Sequence, residues 1–446
     1  MLEKTLSELG DALGDVACFT PAAFERFAQQ IPAELVLQAL AETGTASLRK
    51  RRLPAEQVVM LLIGMALLRD QSIIAVADKL EIARPGKGVI AASSLAEARA
   101  RLGASPLEWL FITCSEQWAT RSALASAWRG LSVYGVDGTT LRVADSSENR
   151  AHFGGTSNKR GLSGYPLLRC VALMALRSHV IAAASFGPYA RGEHDYAQQL
   201  WCKVPDDSLV VVDKGFLSAS VLMPLARDGT NRHWLIRAKK ALKHRVVAKL
   251  GPKDLIVELD VSRAARKQDP TLPATWTCRL VGYQRRGFRP EWLLTSMLDS
   301  ERYPREEVIV LYHERWELEL GFDEIKTHML DSLPTLRSQR RALVEQELLG
   351  ILIAYNLVRG EIERAAVHLD VPPLRISFTS ALLLIVDALQ TCWSMSPGAI
   401  PAYLRRIEQR MARLILPPRR ERSFPRAVKI KMSNYARKRP PTRKAR

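Results

Sequence analysis

Tyr312-His-Glu-Arg315-Trp-Glu-Leu-Glu319-Leu-Gly-Phe-Asp-Glu-Ile-Lys326 decides how the rest of this chain is read. Wound as one helix, each residue turns about 100°. With Tyr312 at zero, Arg315 falls at about 300°, Glu319 at about 340° and Lys326 at about 320°. An aromatic hydroxyl, two cations and a carboxylate then share one arc. A carboxylate binds a divalent metal and flanking cations bind phosphates, so the stretch reads as a helix for chemistry on a nucleic-acid backbone. The plainer reading is a solvated charged face, with Trp316 and Leu320, at about 40° and 80°, forming the buried stripe beside it.

The bulk of the chain favours a polyanionic partner. At 446 residues it exceeds what a single core organises, and 47% hydrophobic content is ample for real cores. The net charge is +19, with a pI near 9.9. Residues 419–446 hold 12 Lys or Arg against the single acid Glu421, leaving +8 for the first 418 residues. This tail, from 417 on, is expected to be disordered when free and to add salt-sensitive phosphate affinity, or else to serve only solubility. Six cysteines are scattered at 18, 114, 170, 202, 278 and 392, none as a Cys-x₂-Cys pair, which argues against a zinc site. No signal peptide or membrane-length apolar run is present, so a soluble cytoplasmic protein is expected.

Residues 1–125 read as helical, with Pro21, Pro32 and Pro54 each opening a segment. Val58–Leu68 reads as a buried helix. Ser72–Leu80 and Ser94–Leu102 follow, the second stopped by Gly103 and carrying Arg99 and Arg101. This pair is either a base-reading helix-turn-helix or ordinary packing. Its connection, from Glu81 to Ser93 through Pro85-Gly86, is longer than the tight form of that motif.

From residue 131 the texture changes. Leu131–Val136 runs into Asp137-Gly-Thr, and Ser208–Val212 into Asp213-Lys-Gly-Phe216. Both read as buried strands closed by an aspartate. Each aspartate either caps a turn or stands at the sheet rim where open α/β sheets carry their sites. Further strands are expected over Leu167–Arg177 and His179–Phe186, with a helix over His194–Cys202. Between 230 and 298 the candidates Trp234–Ala238, Leu255–Val261, Thr275–Gln284 and Trp292–Ser296 read as an antiparallel β insertion without obvious helices. Gln339–Ala366, Phe378–Trp393 and Pro401–Leu416 read as helices. Asp137, Asp213 and Glu319 thus come in the order strand, strand, helix. Three carboxylates meeting at one rim would repel each other and raise a pKa, a penalty that divalent cations remove.

Tyr312-x₂-Arg315-x₃-Glu319-x₆-Lys326, together with Val136-Asp137-Gly-Thr-Thr-Leu and Val212-Asp213-Lys-Gly-Phe, resembles the insertion element 4 family of bacterial DDE transposases. The resemblance implies an α/β fold with an RNase H-like catalytic core (131–330) interrupted by an antiparallel β insertion at about 239–298. A helical N-terminal DNA-binding domain (1–125) and a C-terminal helical region (331–416) would flank it. It implies Asp137, Asp213 and Glu319 as catalytic ligands of two Mg²⁺ ions, with Mn²⁺ as a substitute. Tyr312, Arg315 and Lys326 would hold the phosphates of the transposon end. Lys214, where the family is expected to carry Arg, keeps the charge, and Arg142 is a further candidate DNA contact. Trp292, 27 residues before Glu319, is placed like a family tryptophan that takes up a flipped base; the alternative is an ordinary core tryptophan.

Such enzymes cut double-stranded DNA at terminal inverted repeats and join the freed 3′ ends to target DNA, acting as homodimers on paired ends in the bacterial cytoplasm at the nucleoid. The competing readings are a non-mobile metal-dependent nuclease on the same scaffold, a catalytically inactive DNA-binding repressor, and an RNA-directed nuclease.

Overall fold

A computed structural model describes residues 30–46, 53–80, 82, 90–158, 161–162, 164–285, 288–331, 335–392, 395 and 397–418. Pro21, Pro85-Gly86 and the basic tail from 419 lie outside the described residues. Pro32 and Pro54 stand at the N-caps of α1 (Ala33–Glu42) and α2 (Ala55–Leu67). α2 is apolar on every side and buried along nearly its whole length, as expected for Val58–Leu68. Around it lie α3 (Ile73–Lys79), capped by the Ser72 hydroxyl, then α4 (Ala92–Leu102), which stops at Gly103 with φ +69°, and α5 (Ser105–Ala125). No helix among the described residues is long and apolar enough to cross a membrane.

The large sheet is built on β1 (Ser132–Val143). A short helix, α6 (Ser147–Phe153), leads to β2 (Leu167–Ala175) and β3 (Ile181–Pro188), which pair antiparallel beside β1. α7 (Glu193–Gln198) then crosses to β4 (Ser208–Val212), and α8 (Ala219–Arg227) to β5 (Arg232–Arg237). β4 pairs parallel with both β1 and β5. The order β3-β2-β1-β4-β5, three antiparallel strands followed by two parallel ones, is an RNase H-like core. β1 does not stop before Asp137 as the sequence suggested. It continues to Val143 because β2 stays paired with it as far as Arg142 opposite Leu167. Only β4 ends, at Val212, so Asp137 lies at a rim on that side alone.

The insertion does not form a sheet of its own. β6 (Arg245–Gly251), β7 (Asp254–Asp260), β8 (Thr275–Tyr283) and β9 (Glu291–Thr295) extend the core antiparallel in the order β5-β9-β8-β7-β6. The sequence reading missed β6, because all seven of its residues are exposed and no apolar alternation marks it. It also missed α9 (Arg263–Gln268), a short helix capped by Ser262.

The stretch that opened the reading is not one helix. α10 (Arg305–His313) ends before Glu314, α11 (Trp316–Asp323) follows, and Glu324–Met329 winds as a π-helix. The Arg315 and Leu318 amides bond the Tyr312 and Arg315 carbonyls, at 3.2 and 3.1 Å, so the chain tightens through the junction. The expected buried stripe is also corrected: Trp316 is 52% exposed and Leu320 38%. Leu318, Gly321, Phe322 and Ile325 face the core instead. After a short strand β10 (Thr335–Leu336), parallel to the end of β1, come α12 (Arg341–Leu369), α13 (Phe378–Cys392) and α14 (Ile400–Met411).

α12 joins the two halves. It packs on α2 and α5 on one side, and Asn356 bonds the Ile181 amide and carbonyl of β3, at 2.9 and 2.8 Å, on the other. Arg99, a possible base reader from sequence, is buried against α12. Its guanidinium donates to Gln346 Oε1 at 3.0 Å and Ser338 Oγ at 3.1 Å, so its role is packing.

Candidate active site

Side chains alternate along β1, so Gly135, Asp137 and Thr139 share one face. α11 lies on that face. A methyl group on Gly135 would stand 2.7 Å from Leu318, and one on Gly321 2.6 Å from Met174, so two glycines admit the helix this close. Leu318 is thereby fixed over β1, with Glu319 as the next residue.

Val136 is level with Val212 across the parallel pair, which brings Asp137 and Asp213 side by side at the end of β4. Burial pushes the Asp137 carboxyl up to about 6; the Gly138 amide at 2.8 Å and Arg315 oppose this, while Glu193 and Asp213 add to it. Arg315 is mostly buried and donates to Glu319 Oε1 at 2.9 Å. Burial works against its charge, but that bond and the fields of Tyr312, Glu319 and Asp213 hold its pKa above the ordinary value. Tyr312 is buried, and its hydroxyl is pushed up to about 12, by burial first and by Asp213 in part. Tyr312, Arg315, Glu319, Asp137 and Asp213 therefore form one electrostatic unit.

Lys326 belongs to its edge. It is half-buried, burial lowers its pKa, and it feels Asp323 and Cys170. Cys170 pairs in register with Thr139, two residues beyond Asp137. Lys214 is exposed beside Asp213. Arg142 lies five residues along β1 from Asp137, about 16 Å at strand rise, and its guanidinium sits 5.8 Å from the Tyr165 ring. Trp292 is 36% exposed and lies against Gly282, where a methyl group would meet its ring at 2.7 Å. It stands at the start of β9 outside the buried core, unlike the buried Trp234 and Trp276.

Two residues that the sequence reading did not mark frame the aspartates from α7. Glu193 packs over Gly138, where a methyl group would stand 2.8 Å from its Cδ, and His194 Nε2 donates to the Gly215 carbonyl at 2.9 Å. Gly192-Glu-His-Asp195 reads only as a helix start, so no local signal distinguishes them. Behind α11, the Glu324 carboxylate is held by the buried Arg359, by the Tyr355 hydroxyl at 2.8 Å and by His179 at 3.3 Å. Burial alone would raise its pKa; Arg359, His179 and Tyr355 outweigh it and hold the carboxyl at about 2.

The donor chemistry suits a hard divalent cation. Asp137 and Asp213 offer adjacent carboxylates, and the raised pKa of Asp137 is a cost that a cation relieves. Glu319 is engaged with Arg315, and among the described residues no three His, Cys, Asp or Glu side chains converge as a ready metal cage.

Comparison with known proteins agrees with this architecture. Residues 21–112 match the model of the insertion element 4 transposase N-terminal region, and residues 128–357 match the transposase DDE domain. The transposase InsG for insertion sequence element IS4 of Escherichia coli (strain K12) is 39% identical over 404 residues, covering 90% of this chain and 91% of that protein. A putative transposase, InsZ, from the same organism is 32% identical over 247 residues, 54% of this chain and 80% of its own length. Among solved structures, a piggyBac transposase synaptic complex with hairpin DNA aligns over 91% of this chain and 87% of that chain, at 12% identity and a TM-score of 0.43. The chain belongs to the insertion element 4 family of DDE transposases and is an enzyme that acts on DNA with divalent metal.

Proposed function

We propose that this transposase cuts DNA at the terminal inverted repeats of an insertion sequence and joins the 3′ ends to target DNA. The supporting observation is Asp137 level with Asp213, with Arg315, at the N-cap of α11, near both aspartates and bonded to Glu319. Asp137, Asp213 and Glu319 would hold two Mg²⁺ ions, Glu319 entering the set when a cation replaces Arg315 as its partner. When bound, such ions stabilise both the attacking and the leaving oxygen of an in-line displacement. Asp137 and Asp213 present the carboxylate oxygens that would hold those ions at the end of β4, and the cationic side chains around them would hold the phosphodiester. Arg315, once released by Glu319, is a bidentate donor for a phosphate. The Tyr312 hydroxyl, with its pKa pushed up to about 12, stays protonated and donates to phosphate without attacking it. Lys326 and Lys214 supply cations at the edges, and the half-exposed ring of Trp292 offers a stacking surface for an unpaired base.

Pairing of two ends would engage two copies of the chain. The deciding experiment incubates the enzyme with labelled end-sequence duplex, a target plasmid and Mg²⁺. Cleavage followed by joining is expected; cleavage without joining would reduce the protein to a nuclease, and metal-independent binding alone would make it a repressor.

A further inference from the structure

The start of α7 sets a further carboxylate beside the aspartates, from the face of the sheet opposite α11. Side chains alternate along β1, so Gly138 faces away from the side that Asp137 shares with Gly135. Glu193 fills that other side. A methyl group on Gly138 would stand 2.8 Å from its Cδ and 2.9 Å from its Oε1, so the carboxylate lies directly on the glycine. The amide of the same glycine donates to Asp137 at 2.8 Å. Two carboxylates therefore flank one residue. Their charges are coupled, for Glu193 opposes the ionisation of Asp137 at least as strongly as Asp213 does.

α7 is tied down on three sides. His194 Nε2 donates to the Gly215 carbonyl at 2.9 Å, the Tyr196 hydroxyl to the Pro188 carbonyl at 3.0 Å, and Gln198 Nε2 to the Ser220 carbonyl at 2.8 Å. Glu193 is nevertheless half-buried with no hydrogen bond or ion pair to its carboxylate among the described residues. Arg191, two residues before it, lies over the Tyr196 ring at 4.8 Å instead. An acid in the first turn of a helix favours the helix dipole, and that role is met by a side chain turned to water. Asp195, in the same turn, is exposed in that way. Glu193 instead packs beside a like charge, which is costly unless a cation joins the pair.

We infer that Glu193 is a ligand of the divalent metal at this centre, alongside Asp137 and Asp213. The inference rests on the reading of those two aspartates as ligands. Glu319 is bonded to Arg315 at 2.9 Å, whereas no side chain holds Glu193 back among the described residues. No three carboxylates among the described residues converge closely enough to form a cage. Like charges keep such groups apart, and a shared divalent ion draws them together. With Glu193 on one face and Glu319 on the other, the four carboxylates carry as much negative charge as two divalent ions carry positive.

The test is Mn²⁺ binding to the full-length protein without DNA, followed by the electron paramagnetic resonance of the free ion at about pH 8, where carboxylates are ionised. Glu193→Gln keeps the size and removes the charge. Glu193→Asp keeps the charge and shortens the reach by one methylene. Both should weaken Mn²⁺ binding by about 10- to 100-fold, the range found when partners of a bound metal are removed. Asp195→Asn removes an exposed charge from the same turn and should change binding by about 2-fold or less, because salt screens it. Without added metal, Glu193→Gln should melt at or above the wild-type temperature, since a repulsion is gone. Wild-type affinity in Glu193→Gln would overturn the inference. So would wild-type affinity in Glu193→Asp alone, because only the field of the charge would then matter. Asp213→Asn tests the reading beneath this one. If it and Glu193→Gln both bind like wild type, the centre on the aspartates falls and Glu193 with it; if Asp213→Asn weakens binding and Glu193→Gln does not, Glu193 alone falls.

Discussion

Asp137 is the residue on which the pH behaviour of this enzyme turns. Its carboxyl is held at about 6 by burial first, with Glu193 and Asp213 adding to the effect, and metal binding requires the deprotonated form. Strand cleavage at sub-saturating Mg²⁺ should therefore fall as pH drops through about 6, and saturating Mg²⁺ should move that break to lower pH. Glu193 contributes a repelling charge, so Glu193→Gln should move that break to lower pH; a break that stays put would show that Glu193 does not act on Asp137. The stability sign follows from the same shift. The folded pKa lies above the unfolded value of 3.8, so the native state holds the proton longer and the metal-free protein loses stability as pH rises from about 4 to about 6. Added Mg²⁺ should consequently raise the melting temperature more at pH 7 than at pH 5. Asp137→Ala, Asp213→Ala and Glu319→Ala are each expected to cut cleavage by on the order of 10³-fold or more while duplex binding survives in a mobility-shift assay. Retained cleavage in any one would remove that residue from the ligand set.

At the scale of the element, α11 is braced from behind by a buried ion pair. Arg359 is almost wholly buried with Glu324, and Tyr355 and His179 complete the shell. Arg359→Ala removes the cation from a buried carboxylate, which costs up to about 3–5 kcal/mol, less whatever Tyr355 and His179 retain. The double variant Arg359→Ala, Glu324→Gln should recover part of that loss in denaturant unfolding, because no charge is then stranded. The depressed pKa of Glu324, about 2 in the fold against 4.5 as its ordinary value, gives a contribution to stability that is present above pH 4.5 and lost as pH falls towards 2. Glu324→Gln should flatten that acid limb; an unchanged limb would show that the pair does not govern it. The π-helix begins at Glu324, so Lys326 is placed by this anchored segment, away from the position a uniform α-helix would give it.

Across the whole molecule, α12 makes the N-terminal helices and the catalytic sheet one structure. Asn356 bonds both the amide and the carbonyl of Ile181 and also Ser115, all buried. Asn356→Leu strands buried backbone groups and should destabilise the fold by about 2 kcal/mol or more, at about 1–3 kcal/mol per unsatisfied group, lowering the midpoint in urea. A shift within error would mean that the neighbouring helices re-pair those groups. The same scale explains Arg99. On the sequence it decorates a helix that reads equally as a base reader or as packing, whereas its guanidinium is enclosed by Gln346 and Ser338, more than two hundred residues away.

The sequence by itself determined the periodic and the punctuated parts of this protein. The buried helix at 58–68, the strand that holds Asp137, the strand that ends just before Asp213, and the order strand, strand, helix of the three carboxylates follow from local apolar pattern and turn chemistry, which need no distant partner. Only tertiary structure decided what depends on contacts between remote residues. It broke the 312–326 stretch into the end of α10, α11 and a π-helix that starts at the Glu324–Arg359 pair, and carried β1 past Asp137 because β2 kept pairing with it. It set Glu193 over Gly138 and made the exposed strand β6 the last of the sheet. Each of those outcomes rests on hydrogen bonds, charge pairs or close approaches between segments far apart in the chain, and no window of sequence contains both partners.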